Sequence, residues 1–213
     1  MINPKDTYIT IFMTDWFSEL AKTWNQDPLK VEQCMLFSER IRKNIKLDPS
    51  MRVLDFGCGT GLVGISLLKD VKTVGFIDPS SAMIEVLRES LVGHNINNFE
   101  IVEGEIFSFH GEPFDLIVSH MVLHHIEDLK TTIQALYNNL SPKGKIIIVD
   151  MREMHHHGPN PIPHHGFNSD KFKKIFEEVG FTNVIIEEYP PFIHKPKVGH
   201  EINANRFVLM GEK

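Results

Sequence analysis

The sequence predicts one α/β domain built on a mostly parallel sheet, and three observations carry that expectation. From Met51 onward, short β-branched runs alternate with helix-length segments, the pattern of parallel strands joined by crossover helices. A glycine-rich loop, Asp55-Phe56-Gly57-Cys58-Gly59-Thr60-Gly61, leads from the first such run straight into a helix pattern. Two final strand-like runs, 182–189 and 205–210, are separated by prolines and leave no room for a crossover helix.

The bulk numbers fit. With 213 residues, 42% of them hydrophobic and 23% charged, the chain can bury one sizeable core but not two comfortable ones. No apolar run approaches the roughly 20 residues of a membrane helix. The opening Met1-Ile2-Asn3-Pro4-Lys5-Asp6 lacks the basic and apolar segments of a secretory signal, so a cytoplasmic address is expected. Cys34 and Cys58 are the only cysteines, and one lies in the glycine loop, which argues against a disulfide framework. A net charge of −6 and a pI near 6.0 oppose a phosphate backbone. Small-molecule partners are therefore favoured over nucleic acid or a membrane, while oligomeric state is left open.

Taken in order, residues 1–50 read as a helical preface. Val31, Met35, Ile41 and Ile45 lie near helical spacing between Pro28 and Asp48-Pro49, which predicts an amphipathic helix packed on the later core. Strands are expected near 51–56, 72–77, 98–103, 114–119 and 144–150, and helices near 61–69, 80–92, 127–140 and 169–179. Asp78-Pro79-Ser80 supplies a cap and Ser141-Pro142-Lys143-Gly144 a stop. The two last strands should be antiparallel neighbours, giving seven strands with the last reversed.

The strand-to-helix glycine loop suits a nucleotide-like ligand, because glycines admit a ligand to the backbone. Gly59-Thr60-Gly61-Leu62-Val63-Gly64 satisfies the dinucleotide spacing, and Asp78 follows Gly59 by 19 residues, so spacing alone leaves NAD open. Asp55 points elsewhere: its carboxylate would repel a pyrophosphate but hold the ammonium of an amino-acid-bearing cofactor such as S-adenosylmethionine (SAM), directly or through water. A reversed terminal strand also departs from the all-parallel dinucleotide sheet.

On these residues, the stretch 51–150 resembles the SAM-binding core of class I methyltransferases, and the tail resembles their closing β-hairpin. The resemblance implies a Rossmann-like three-layer sandwich over 1–213: a helical preface or lid (1–50), the SAM core (51–150), then an acceptor-side loop, last helix and hairpin (151–213). By the same resemblance Asp55, Gly57, Cys58, Gly59 and Gly61 form the cofactor loop. Asp78, followed by Pro79, takes the ribose hydroxyls, and Met83 packs on the adenine. Gly104-Glu105-Ile106 is similar to the family's third motif, with Glu105 or the Ile106 backbone near the adenine amine. Ser119 and His120 edge the methionine part. Trp24, in a preface similar to the family's Ala-x-x-Trp-Asp, closes over SAM or serves as core. Each piece also has a plain structural reading: turn glycines, a capping Asp78, a core Met83.

Methyl transfer chiefly requires alignment and exclusion of water, and a base helps only a hydroxyl, carbon acid or protonated amine. His120 is the candidate base by position, with a hydrogen bond to SAM as its other role. His124 and His125 read as packing or capping residues. His155-His156-His157 and His164-His165 flank a proline-rich loop near the expected acceptor entrance, with His165 a candidate pocket residue. They lack a complete tetrahedral ligand set, so no metal is expected. The Asp/Asn-Pro-Pro-Tyr/Phe pattern of amide- and base-nitrogen methylating enzymes is absent after the fourth strand. The reading is a small-molecule methyltransferase; an NAD-dependent oxidoreductase and a non-catalytic SAM-binding regulator are the alternatives.

Overall fold

Seven strands form a single sheet in the order β3-β2-β1-β4-β5-β7-β6. The computed structural model describes residues 17–92, 97–153, 162–194 and 202–213, and His155, His156 and His157 lie outside them. After helical residues 17–24 (α1), the elements run α2 (Pro28–Asn44), β1 (Arg52–Phe56), α3 (Leu62–Leu67), β2 (Thr73–Asp78), α4 (Ser81–Val92) and β3 (Phe99–Glu103). There follow β4 (Phe114–His120), α5 (Leu129–Asn138), β5 (Leu140–Met151), α6 (Ser169–Val179), β6 (Thr182–His194) and β7 (Ile202–Glu212). Strands β1 to β5 pair in parallel, whereas β7 is antiparallel to both β5 and β6. The mostly parallel sheet with a reversed strand is therefore as expected. Among the described residues no helix is long and apolar enough to cross a membrane.

Alternation along the strands sends side chains into two cores. Val53, Phe76, Val118 and Val149 face α2, α3 and α4, where Phe37 and Ile41 are fully buried. Leu54, Ile117, Ile148 and Leu209 face α5 and α6, against Phe172 and Phe176.

The preface helix exists, and Ile41 and Ile45 enter the core as the apolar spacing suggests, but its first half does not follow that spacing. Asp27 caps it by accepting from the Leu29 N–H at 3.0 Å, and Pro28 opens its first turn. Its buried face is Gln33, Phe37, Ser38 and Ile41. Met35, expected in the core, is 60% exposed, and with Val31 it borders an outer groove of about 430 Å³. The reason lies in β7: Arg206 is fully buried beneath α2 and donates to the Gln33 amide oxygen and the Pro190 carbonyl. A polar residue thus belongs to the inward face because a buried guanidinium needs acceptors there.

Two boundaries also differ from expectation. Helix α5 ends at Asn138, and Ser141–Gly144 is a bulge inside β5 rather than a helix stop: Phe114 pairs with Leu140, but Leu116 pairs with Lys145. Lys143 takes φ 65°, and the bulge is laced to Lys213, which accepts from the Lys143 N–H and donates to the Gly144 carbonyl. Strand β6 runs on through Pro190 and Pro191, with its register shifting between Tyr189 and Phe192. Proline has no N–H for the ladder, and the shift accommodates the gap.

Candidate functional site

In this strand order the connections from β1 and from β4 leave toward opposite faces, so a crevice opens at the carboxyl ends of β1 and β4, where ligands of open α/β sheets bind. The glycine loop begins there. The Gly57 and Cys58 N–H groups both donate to the Ile77 carbonyl (2.9 and 3.1 Å), which pins the loop to the end of β2. Asp78, last in β2, gathers the neighbouring turns. Its Oδ2 accepts from the Gly59 N–H (2.8 Å), its Oδ1 from the Ser80 N–H (2.9 Å), and its carbonyl from the Gly104 N–H (3.0 Å). Asp78 thus stands beside the loop, while the expected cap comes from the buried Ser80, whose Oγ accepts from the Met83 N–H of α4 at 3.4 Å, with Pro79 exposed between them.

The loop glycines divide by what surrounds them. A Cβ on Gly61, at φ +81°, would lie 2.3 Å from Leu87 Cδ1, so that glycine is required by packing. On Gly59, at φ +53°, the nearest atom would be Met83 Sδ at 3.9 Å, leaving room over the backbone. Gly59 is therefore bare where a ligand would approach, beside a carboxylate and a thioether.

Asp55 lies one residue before the end of β1 and is 2% exposed. Its Oδ2 accepts from the Gly64 N–H in α3 at 2.8 Å. Burial raises its pKa to about 7 against the pull of that hydrogen bond, and Asp78 raises it further. The sign for stability follows. Between the ordinary carboxylate pKa and about 7 the folded chain keeps a proton that the unfolded chain releases, so Asp55 makes stability fall as pH rises through that window. Thermal midpoints measured from pH 5 to 8 should decline in the wild type more than in Asp55→Asn; equal slopes would remove Asp55 from the effect.

The other expected residues fall as follows. Met83 is buried under the loop, and the Cys58 thiol is buried, which holds its pKa well above ordinary. Gly104 and Glu105 follow β3, with Glu105 exposed, while the Ile106 side chain enters the core from a short 3-10 turn, Ile106–Ser108. Ser119 is wholly buried and donates to the Phe56 carbonyl (3.1 Å), a strut between β4 and β1. His120 ends β4 with its ring stacked on Phe37, 5.3 Å between centroids. Burial, then the charge of Arg206, lowers its pKa to about 3. Trp24 is half-buried, 6.0 Å from the Phe17 ring, with Lys30 Nζ 3.5 Å from its own. His165 is half-buried; the neighbouring His164 donates its N–H to the His124 carbonyl, and its Nε2 is 3.0 Å from the Ile126 carbonyl.

Two contacts go beyond the sequence reading, one made by Asn25, which stands where the similar preface has Asp, and one by Asp150. Asn25 Oδ1 accepts from Thr60 Oγ1 at 2.6 Å, tying the α1–α2 turn to the glycine loop. Asp150, wholly buried near the end of β5, lies 2.8 Å from His124 Nδ1. Its signal was available: like Asp55 and Asp78, it is an aspartate at the carboxyl end of an apolar strand run. Among the described residues, no group of three or more His, Cys, Asp or Glu is placed to hold a metal ion.

A mostly parallel sheet with a glycine loop at its crevice defines a Rossmann-like α/β domain. The chain belongs to the methyltransferase domain family, whose model matches residues 30–186. It is similar to the uncharacterised methyltransferase YrrT of Bacillus subtilis, 31% identical over 147 residues, 67% of each chain. It also resembles the uncharacterised methyltransferase C1347.09 of Schizosaccharomyces pombe, 28% identical over 62% of this chain, and spans only 54% of that relative. The fold is shared with phosphoethanolamine N-methyltransferase 2 of Haemonchus contortus, solved in complex with S-adenosyl-L-methionine (TM-score 0.69, 16% identity, 92% of this chain and 60% of that one).

Proposed function

We propose that this domain transfers a methyl group from SAM to a small-molecule acceptor by in-line displacement. The observation that carries the reading is the bare backbone of Gly59, flanked by Asp78 and Met83 at the sheet's crevice. These residues fit the cofactor: Asp78 retains lone pairs for ribose hydroxyls, Met83 offers an apolar flank for adenine, and Asp55 offers a carboxylate for an ammonium near neutral pH. Glu105 or the Ile106 backbone would meet the adenine amine. When bound, SAM supplies a methyl already activated on a sulfonium.

The chain's own contribution is placement and dryness. Helices α1 and α2 are tied down at Thr60–Asn25 and Phe37–His120, and they would act as the cover over the reacting atoms. His120, neutral at physiological pH, is too weak a base to hold a proton there, so its role is to orient a polar group by hydrogen bonding. His165 would contribute to the acceptor wall.

Calorimetric titration with SAM, S-adenosylhomocysteine and NAD tests the reading. Binding of the two adenosyl sulfur compounds without NAD supports it; binding of NAD alone overturns it in favour of an oxidoreductase. Tight SAM binding without turnover on acceptor panels would leave a SAM-binding regulator. Asp78→Asn should weaken SAM binding about ten- to a hundredfold, the worth of roughly 1.5–3 kcal/mol for a charge-assisted contact; an unchanged Kd would remove Asp78 from the site.

A further inference from the structure

Buried polar atoms in folded proteins nearly always find partners, so a cluster of exceptions marks a place where something else belongs. Arginines aside, the described residues hold four such side-chain atoms: His120 Nε2, His125 Nδ1, Asp150 Oδ2 and Tyr189 Oη. All four sit toward the end of the sheet where β4 and β5 finish. His120 closes β4, His125 lies in the turn that follows, Asp150 stands next to last in β5, and Tyr189 pairs with Arg206 near the start of β7. The glycine loop lies alongside, since Val122 of that same turn presses on Gly57.

The two imidazoles are built alike. Each comes from the exit of β4 and meets a phenyl ring of the N-terminal helices: His120 flat on Phe37, His125 edge-on to Phe17 at 5.4 Å. Burial holds both neutral, His125 well below its ordinary pKa. A neutral imidazole nitrogen can accept from or donate to a hydroxyl. The charges nearby disfavour ions of either sign: the Asp150 carboxylate opposes an anion, and the Arg206 guanidinium, whose field reaches both His120 and Tyr189, opposes a cation.

We infer that this end of β4 and β5 is the acceptor subsite and that the acceptor is an uncharged hydroxylated aromatic molecule. Its hydroxyl groups would meet the unpartnered nitrogens of His120 and His125, and its ring the half-buried aromatic side chains of α1, Phe17 and Trp24. This assignment rests on the methyltransferase reading and extends it to a substrate class.

Protein saturated with S-adenosylhomocysteine is titrated with catechol, and in parallel with benzoate, choline and cis-1,2-cyclohexanediol. Catechol should bind at least about tenfold more tightly than the other three. His120→Phe and His125→Phe keep a ring in place but remove the nitrogen, and each should weaken catechol roughly three- to tenfold, the range for one hydrogen bond. Nitrogen-15 spectra of the unaltered protein give a readout that needs no variant: catechol should move the side-chain signals of His120 and His125. If S-adenosylhomocysteine fails to bind, the functional reading falls. If it binds and catechol shows no preference, leaves those imidazole signals unmoved, or binds the two Phe variants as well as the wild type, only the acceptor assignment falls.

Discussion

His124→Ala should destabilise the fold by about 1–3 kcal/mol, the loss expected when a buried acceptor is left without its hydrogen-bond partner. The reason is what remains behind. Asp150 is wholly buried; its Oδ1 would keep only the Met151 N–H, and its Oδ2 already has no partner. The pair joins the turn after β4 to β5, and a second tie, the His164 N–H to the His124 carbonyl, brings in the segment before α6. Urea denaturation should therefore show a lower midpoint with an unchanged slope. The double variant His124→Phe/Asp150→Val should recover much of the loss, because an apolar pair leaves no buried polar group without a partner. A loss below 1 kcal/mol in His124→Ala would mean that the pair contributes little.

The second large effect is expected at Gly61. An alanine there must hold φ near +81°, which costs about 1–2 kcal/mol for an L residue, and must push Leu87 away from a contact of 2.3 Å, which adds about 1–3 kcal/mol of overpacking. Gly61→Ala should thus lose about 2–5 kcal/mol of stability. Gly59→Ala meets open space and should lose only the backbone part while weakening SAM binding. Differential scanning and calorimetric titration of both variants separate the two roles. Equal thermal midpoints would show that the loop relaxes around Leu87.

Much of this was legible beforehand where local chemistry and global fold agree. The alternation of β-branched runs with helix patterns gave the parallel core, because each buried strand must be apolar and each crossover needs helix length. The glycine loop and Asp78 were legible because few residue types tolerate such turns. What escaped depends on partners distant in sequence. Hydropathy puts Met35 inward and Gln33 outward; only the presence of Arg206, 173 residues after Gln33, reverses them. Pro190 and Pro191 read as a loop, yet the sheet tolerates them because the register shifts and Arg206 grips the Pro190 carbonyl. His120 looked like a base from its position, and burial among Phe37 and Arg206 makes it a poor one.

The reversed strand bears on how the chain assembles. Because β7 lies between β5 and β6, β6 has no place on the sheet until β7 arrives, although it precedes β7 in the chain. The β6–β7 hairpin is a local pairing with low loop-closure entropy, whereas docking β7 on β5 joins residues such as Ile147 and Met210 across a long separation. Until that docking occurs, β5 presents Ile146, Ile147 and Ile148 on an open edge, the kind of edge that pairs with other chains. Amides of β5 should accordingly gain hydrogen-exchange protection late in refolding, and crowding at that moment should favour aggregation over completion of the sheet.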